Sequence, residues 1–152
     1  MHQSKIYLLY FILSTALSAC NLTKTRAKTA ILTKLAPAPI GPYSQAIQKG
    51  NIVFVSGQIA INPVTNILDT TNIRQETRQV MDNIKAILQQ ADMDFTQVVK
   101  TTIYLTDINT FSQVNEIYGT YMPTVAPARE TVEVRNLPRG AHIEISVIAI
   151  AD

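Results

Sequence analysis

Apolar and polar positions alternate in short runs along most of the chain and switch to a three-to-four spacing in two longer segments. "AILTKL", from Ala30, reads as an edge strand. "APAPIGPYSQ" is so rich in proline and glycine that it reads as a loop. "AIQKGNIVFVSGQIAI" reads as two strands turning at Gly50-Asn51, and "NPVTNILD" as a turn. From Asn72 to about Ala91 the period is helical. Ile73, Thr77, Val80, Ile84, Ile87, Leu88 and Ala91 form one stripe, and Arg74, Arg78, Asp82, Lys85 and Gln89 fall opposite. "QVVKTTIYLTDI" is a strand. "NTFSQVNEIYGTYM" is a second helix, with Phe111, Val114, Ile117, Tyr118 and Tyr121 spaced for burial and Pro123 as its stop. "ETVEVRN" and "HIEISVIAIA" are the last strands.

The order ββ(β)αβαββ lacks regular strand–helix alternation. It predicts an α+β fold: a mixed β-sheet with two helices packed on one face, forming one domain over residues 30–152. The last strand is apolar at both parities, so helices on one face leave Ile148 and Ile150 wet. Burial against further copies of the chain is the expected remedy.

The first residues do not fit that domain. Lys5 precedes an uncharged, mostly apolar stretch from Ile6 to Ala19, short of the roughly 20 residues that a spanning helix needs. Residues 1–19 read as a signal peptide. Leu17-Ser18-Ala19-Cys20 resembles the lipobox of bacterial lipoproteins, which implies lipidation of Cys20 and a membrane anchor. Residues 20–29 then read as the lipidated cysteine and its tether. The expected location is the bacterial cell envelope, on the periplasmic side, if the signal is used, and the cytoplasm otherwise. Asn21 after the cysteine favours the outer membrane by resemblance to enterobacterial sorting.

Composition narrows the chemistry. Hydrophobic residues at 47% and charged residues at 16% suit a folded globular chain. A net charge of +2 without a basic run gives nucleic acid no special pull, so no nucleic-acid partner is expected. The five glycines are scattered and form no phosphate-cradling loop. Cys20 is the only cysteine, and His2 and His142 are the only histidines. Neither a metal site nor a Ser-His-Asp arrangement is supported, and His142 reads as a rim or interface residue. Arg129, after a Pro-Ala pair, and Glu144, inside an apolar strand, remain as the marked charges.

"APIGPYSQAI", "VFVSGQI", "DNIKAIL", "VVKTTIYLTDINTFSQVNEIY", "APARETVEV" and "HIEISVIAI" together resemble the reactive intermediate deaminase (RidA/YjgF) family over about residues 30–152. That resemblance implies a chorismate-mutase-like fold and a homotrimer with pockets between subunits. It also implies hydrolysis, without a cofactor, of small 2-imino and enamine acids such as 2-aminoacrylate to 2-keto acids and ammonia. Arg129 would hold the substrate carboxylate through its planar fork, and Glu144 would place water and move protons. Tyr43, Ser56, Gly57 and Asn115 match pocket positions, and Thr131 stands where many members have cysteine. Glu130 stands where a small residue is common. Strand alternation predicts that it points away from Arg129.

Structural alternatives remain open beside this reading. Arg129 could serve an interface ion pair, Glu144 could bridge to Arg129 or Arg135, and Tyr43, Ser56 and Asn115 could be ordinary loop, strand and helix residues. A non-catalytic small-carboxylate-binding trimer outside the cytosol is the alternative function. An endoribonuclease or translation inhibitor, a label some relatives carry, is a third reading that the charge pattern opposes.

Overall fold

The computed structural model describes residues 27–151. The expected signal peptide and Cys20 lie outside the described residues. Of the expected tether only the end is described, and Thr29 already belongs to the first strand.

Six strands form one sheet: β1 (Thr29–Ile31), β2 (Ala46–Lys49), β3 (Ile52–Gln58), β4 (Val98–Leu105), β5 (Ala128–Glu133) and β6 (Ile143–Ile150). Their order is β1-β2-β3-β6-β4-β5. β4 and β5 run parallel and the other neighbours antiparallel, so the sheet is mixed. The helices are α1 (Ile73–Gln90) and α2 (Phe111–Gly119). The α+β expectation holds.

Local chemistry sets the joints. Gly50 turns β2 into β3 with φ at 64°, a left-handed conformation that costs glycine little. Asn72 caps α1, its side-chain oxygen accepting the Gln75 N–H at 3.0 Å. β1 is shorter than the predicted edge strand because Gln45 captures the residues after it. The Gln45 Oε1 accepts the Thr33 N–H at 2.7 Å, and its Nε2 donates to the carbonyls of Thr33, Ala36 and Pro37. Those bonds divert the chain from the sheet.

α2 also stops early, at Gly119 rather than at Pro123. The next amides bond three residues back, Thr120 to Ile117 at 3.1 Å and Tyr121 to Tyr118 at 3.1 Å. This tightening sets the Tyr121 ring edge-on against Phe95 and lets its hydroxyl donate to Asp82 on α1 at 2.8 Å. Burial, with the Asp82 bond and charge, pushes the Tyr121 phenol up to about 12. β5 begins and ends earlier than predicted because its parallel register with β4 closes at Leu105↔Glu133.

The core lies between the helices and one sheet face. Ile143, Ile145, Val147 and Ala149 of β6 are buried there against Val80, Met81, Ile84, Ile87 and Leu88 of α1. Each fully buried side chain of this size contributes about 1.5–3 kcal/mol. The other sheet face is open: Phe54 is 45% and Ile150 38% exposed. Lys100 and Thr102 point to that same open face.

Candidate active site

The predicted site residues separate into two groups on opposite faces of the sheet. The first is built on β5 and α2. Arg129 pairs in register with Thr101, whose side chain is buried on the helix face. Thr131, two residues on, shares that face. The Arg129 guanidinium carbon sits 4.9 Å from the Tyr118 ring centroid and 5.5 Å from that of Phe111. These two rings are seven residues apart, two turns of one helix face, and hold the cation by its attraction to their π faces. The Tyr118 hydroxyl donates to Thr101 Oγ1 at 3.1 Å. Burial pushes the Tyr118 phenol up, against the opposing pull of the Thr101 bond and the Arg129 charge.

Among the described residues no carboxylate lies within ion-pair distance of Arg129. Asn115 Oδ1 and Thr131 Oγ1 are buried without a hydrogen-bond partner. Asn115 lies on the α2 face that carries Phe111 and Tyr118. Orphaned buried polar atoms are few in native proteins and mark places where a ligand can complete the bonding.

The second group surrounds a cavity of about 300 Å³ on the other face, lined by Tyr43, Ser56, Gly57 and Glu144 together with Pro39 and Ile59. Among the described residues that line it, Glu144 is the only charged one. Burial raises its carboxyl pKa above the ordinary range. A Cβ at Gly57 would come within 1.9 Å of Glu144 Oε1 and 2.9 Å of its Cγ, so only glycine leaves that carboxylate its place. Neither bridge proposed for Glu144 forms, with Arg129 or with Arg135. Tyr43 is half exposed, and its hydroxyl accepts the Ile40 N–H at 3.2 Å. The Ser56 hydroxyl donates to the Ser44 carbonyl at 2.7 Å, so its proton is committed to holding the Tyr43 turn.

Glu130 lies on the face opposite Arg129. It pairs with Lys100 and accepts from the Thr102 hydroxyl at 2.6 Å, and these partners hold its carboxyl below the usual range, Lys100 first. Its charge is therefore satisfied away from the guanidinium.

A family model described as Endoribonuclease L-PSP matches residues 33–151. The chain belongs to this family, that of the RidA/YjgF proteins. A RutC family protein of Pyrococcus abyssi is 49% identical over 123 residues, 81% of this chain and 97% of that one. The mouse protein named 2-iminobutanoate/2-iminopropanoate deaminase is 45% identical over 120 residues, 79% of this chain and 89% of the relative. A Rid-family protein of Yersinia pestis superposes with a TM-score of 0.80 at 54% identity, covering 82% of this chain and all of its own.

Sequence reasoning about this RidA/YjgF chain missed residues that shape the site. Phe111 and Tyr118 were read as core alone, yet they are the shelf for Arg129. Gln45, 2% exposed, organises the loop that walls the cavity. Glu76 and Asn83 are buried on α1. Their signal was legible, because both sit at helical spacing from Val80, on the buried side of the helix.

Proposed function

We propose that this protein hydrolyses reactive 2-imino acids and their enamine forms, of the 2-aminoacrylate type, to 2-keto acids and ammonia. The observation that carries the reading is Arg129: a cation stacked on two aromatic rings, unpaired among the described residues, beside two buried polar atoms that lack partners. A small carboxylate supplies what the guanidinium lacks, through two parallel charge-assisted bonds. Asn115 Oδ1 can accept from the substrate N–H. The name of the mouse relative supports the same chemistry.

The reaction needs little beyond placement. Glu144 takes a proton from water as the oxygen attacks the carbon of the protonated C=N bond. The resulting amino alcohol receives that proton on nitrogen; as the C–N bond breaks and ammonia leaves, the Glu144 carboxylate takes the hydroxyl proton and the ketone forms. A carboxyl group whose pKa is raised by burial suits both directions of transfer.

Arg129 and Glu144 are separated by the sheet itself, so one chain does not close on a substrate. We propose a homotrimer in which the β5–α2 half of one copy meets the Glu144 cavity of the next. The open sheet face with Phe54 and Ile150 supplies apolar surface for that assembly. The membrane reading rests on sequence alone: cleavage before Cys20 and its lipidation would place the protein in the cell envelope. The intact mass of the protein from its native membrane tests this, and a mass including residues 1–19 overturns it.

The activity test couples the purified protein to an enzyme that generates 2-iminopropanoate. Pyruvate should appear faster than in the uncatalysed control. No acceleration, with binding of a small carboxylate retained, would instead establish a non-catalytic binding trimer.

A further inference from the structure

Glu76 is fully buried in the first turn of α1, and the chemistry above does not use it. A buried carboxylate is costly unless both oxygens are bonded. Here Oε1 accepts the His142 backbone N–H at 2.7 Å, and Oε2 lies 3.0 Å from His142 Nδ1. The His142 carbonyl in turn accepts the Thr106 N–H at 3.0 Å. Residue 142 is thus held by its amide, its ring and its carbonyl. β6 begins at the next residue, and Glu144 comes one residue later.

That tether matters because Glu144 has no side-chain anchor of its own. Among the described residues no hydrogen bond or ion pair reaches its carboxylate, and Gly57 passes beneath it with no room to spare. Its position is inherited from the backbone. A second buried polar residue of α1 acts on the facing wall in the same way. Asn83 Nδ2 donates to the carbonyls of Ile59 at 3.2 Å and Ile61 at 3.0 Å, and both residues line the cavity.

We infer that Glu76 is a positioning residue: through His142 it fixes the start of β6 and so sets where the Glu144 carboxylate stands in the cavity. This rests on the reading of Glu144 as the proton carrier. A carboxylate displaced by even about 1 Å loses its alignment with the attacking water, which costs up to about a hundredfold in rate.

The test uses the full-length chain with two readouts: turnover of 2-iminopropanoate, and titration of the Glu144 carboxyl followed by carbon-13 NMR. Glu76→Ala should lower kcat by about 10- to 100-fold with KM unchanged, and should move the Glu144 titration toward the ordinary carboxylate range. Glu76→Gln keeps an oxygen for the His142 N–H and should recover most of both. If Glu76→Ala does not fold, His142→Ala decides, since it removes the ring bond alone and should move both readouts part of the way. A folded Glu76→Ala or His142→Ala protein with wild-type kcat and wild-type Glu144 titration overturns the inference, as does a loss confined to KM. If the wild type has no turnover, the proposed reaction fails, and the Glu144 titration alone supports or overturns the positioning role.

Discussion

Arg129 and Glu144 stand on opposite faces of one sheet, with β4 between their strands. Two strand spacings, about 10 Å, and the thickness of the sheet separate them. Any chemistry that uses both needs a second copy.

Mixing variants exposes that requirement. Arg129→Ala and Glu144→Gln should each be inactive alone. Dissociated and reassembled together at equal amounts, they should recover about a quarter of wild-type activity, since that share of interfaces pairs an intact Arg129 with an intact Glu144. A mixture as inactive as its parts would overturn the sharing of one site between two copies.

Arg129 should resist conservative replacement. If Arg129 holds the substrate carboxylate as proposed, Arg129→Ala removes two charge-assisted bonds of about 1.5–3 kcal/mol each and should lower kcat/KM by at least about 100-fold. Arg129→Lys keeps the charge but loses the fork and its stacking on Tyr118 and Phe111, and should still lower kcat/KM by about tenfold. Steady-state kinetics with 2-iminopropanoate check both.

Glu144→Gln should trade activity for stability. Turnover should fall by roughly 100-fold or more with the loss of proton transfer. The native Glu144 pKa lies above its unfolded value, so its ionised form opposes folding. That cost is full above the native pKa and vanishes below the unfolded one. The variant should therefore melt at a higher temperature than wild type at pH 7, and the difference should close as the pH falls through the native Glu144 pKa. Thermal scans across pH give the comparison.

Gly57→Ala places a methyl group where the Glu144 side chain lies. The strand should survive, because the carboxylate end can swing aside. Activity should drop toward that of Glu144→Gln, with far-UV circular dichroism unchanged. A Gly57→Ala enzyme as active as wild type would show that the position of Glu144 over Gly57 is not the working one.

Gln45→Ala strands an N–H and three carbonyls of the loop from Thr33 to Pro37. The cost should be about 2–4 kcal/mol, read as a lowered denaturation midpoint.

Hydropathy along the chain was enough for the element order and the fold class, because the 2.0 and 3.6 periods are local properties of the backbone. It also marked Glu144, an isolated charge in an apolar run, whereas Arg129, with Glu130 beside it, stood out by the Pro-Ala pair before it and by the family motif around it. The side on which Glu130 lies came from alternation alone. Other features depended on residues distant in sequence. β1 ends where Gln45 reaches back across the loop, and α2 ends where Tyr121 finds Asp82. Glu76 meets His142 across 66 positions, a contact that only the docking of α1 against the sheet creates. The division of the site between two faces was likewise beyond the sequence. A strand records which of its neighbours share a side, but which side meets the helices is decided only when the sheet closes over its core.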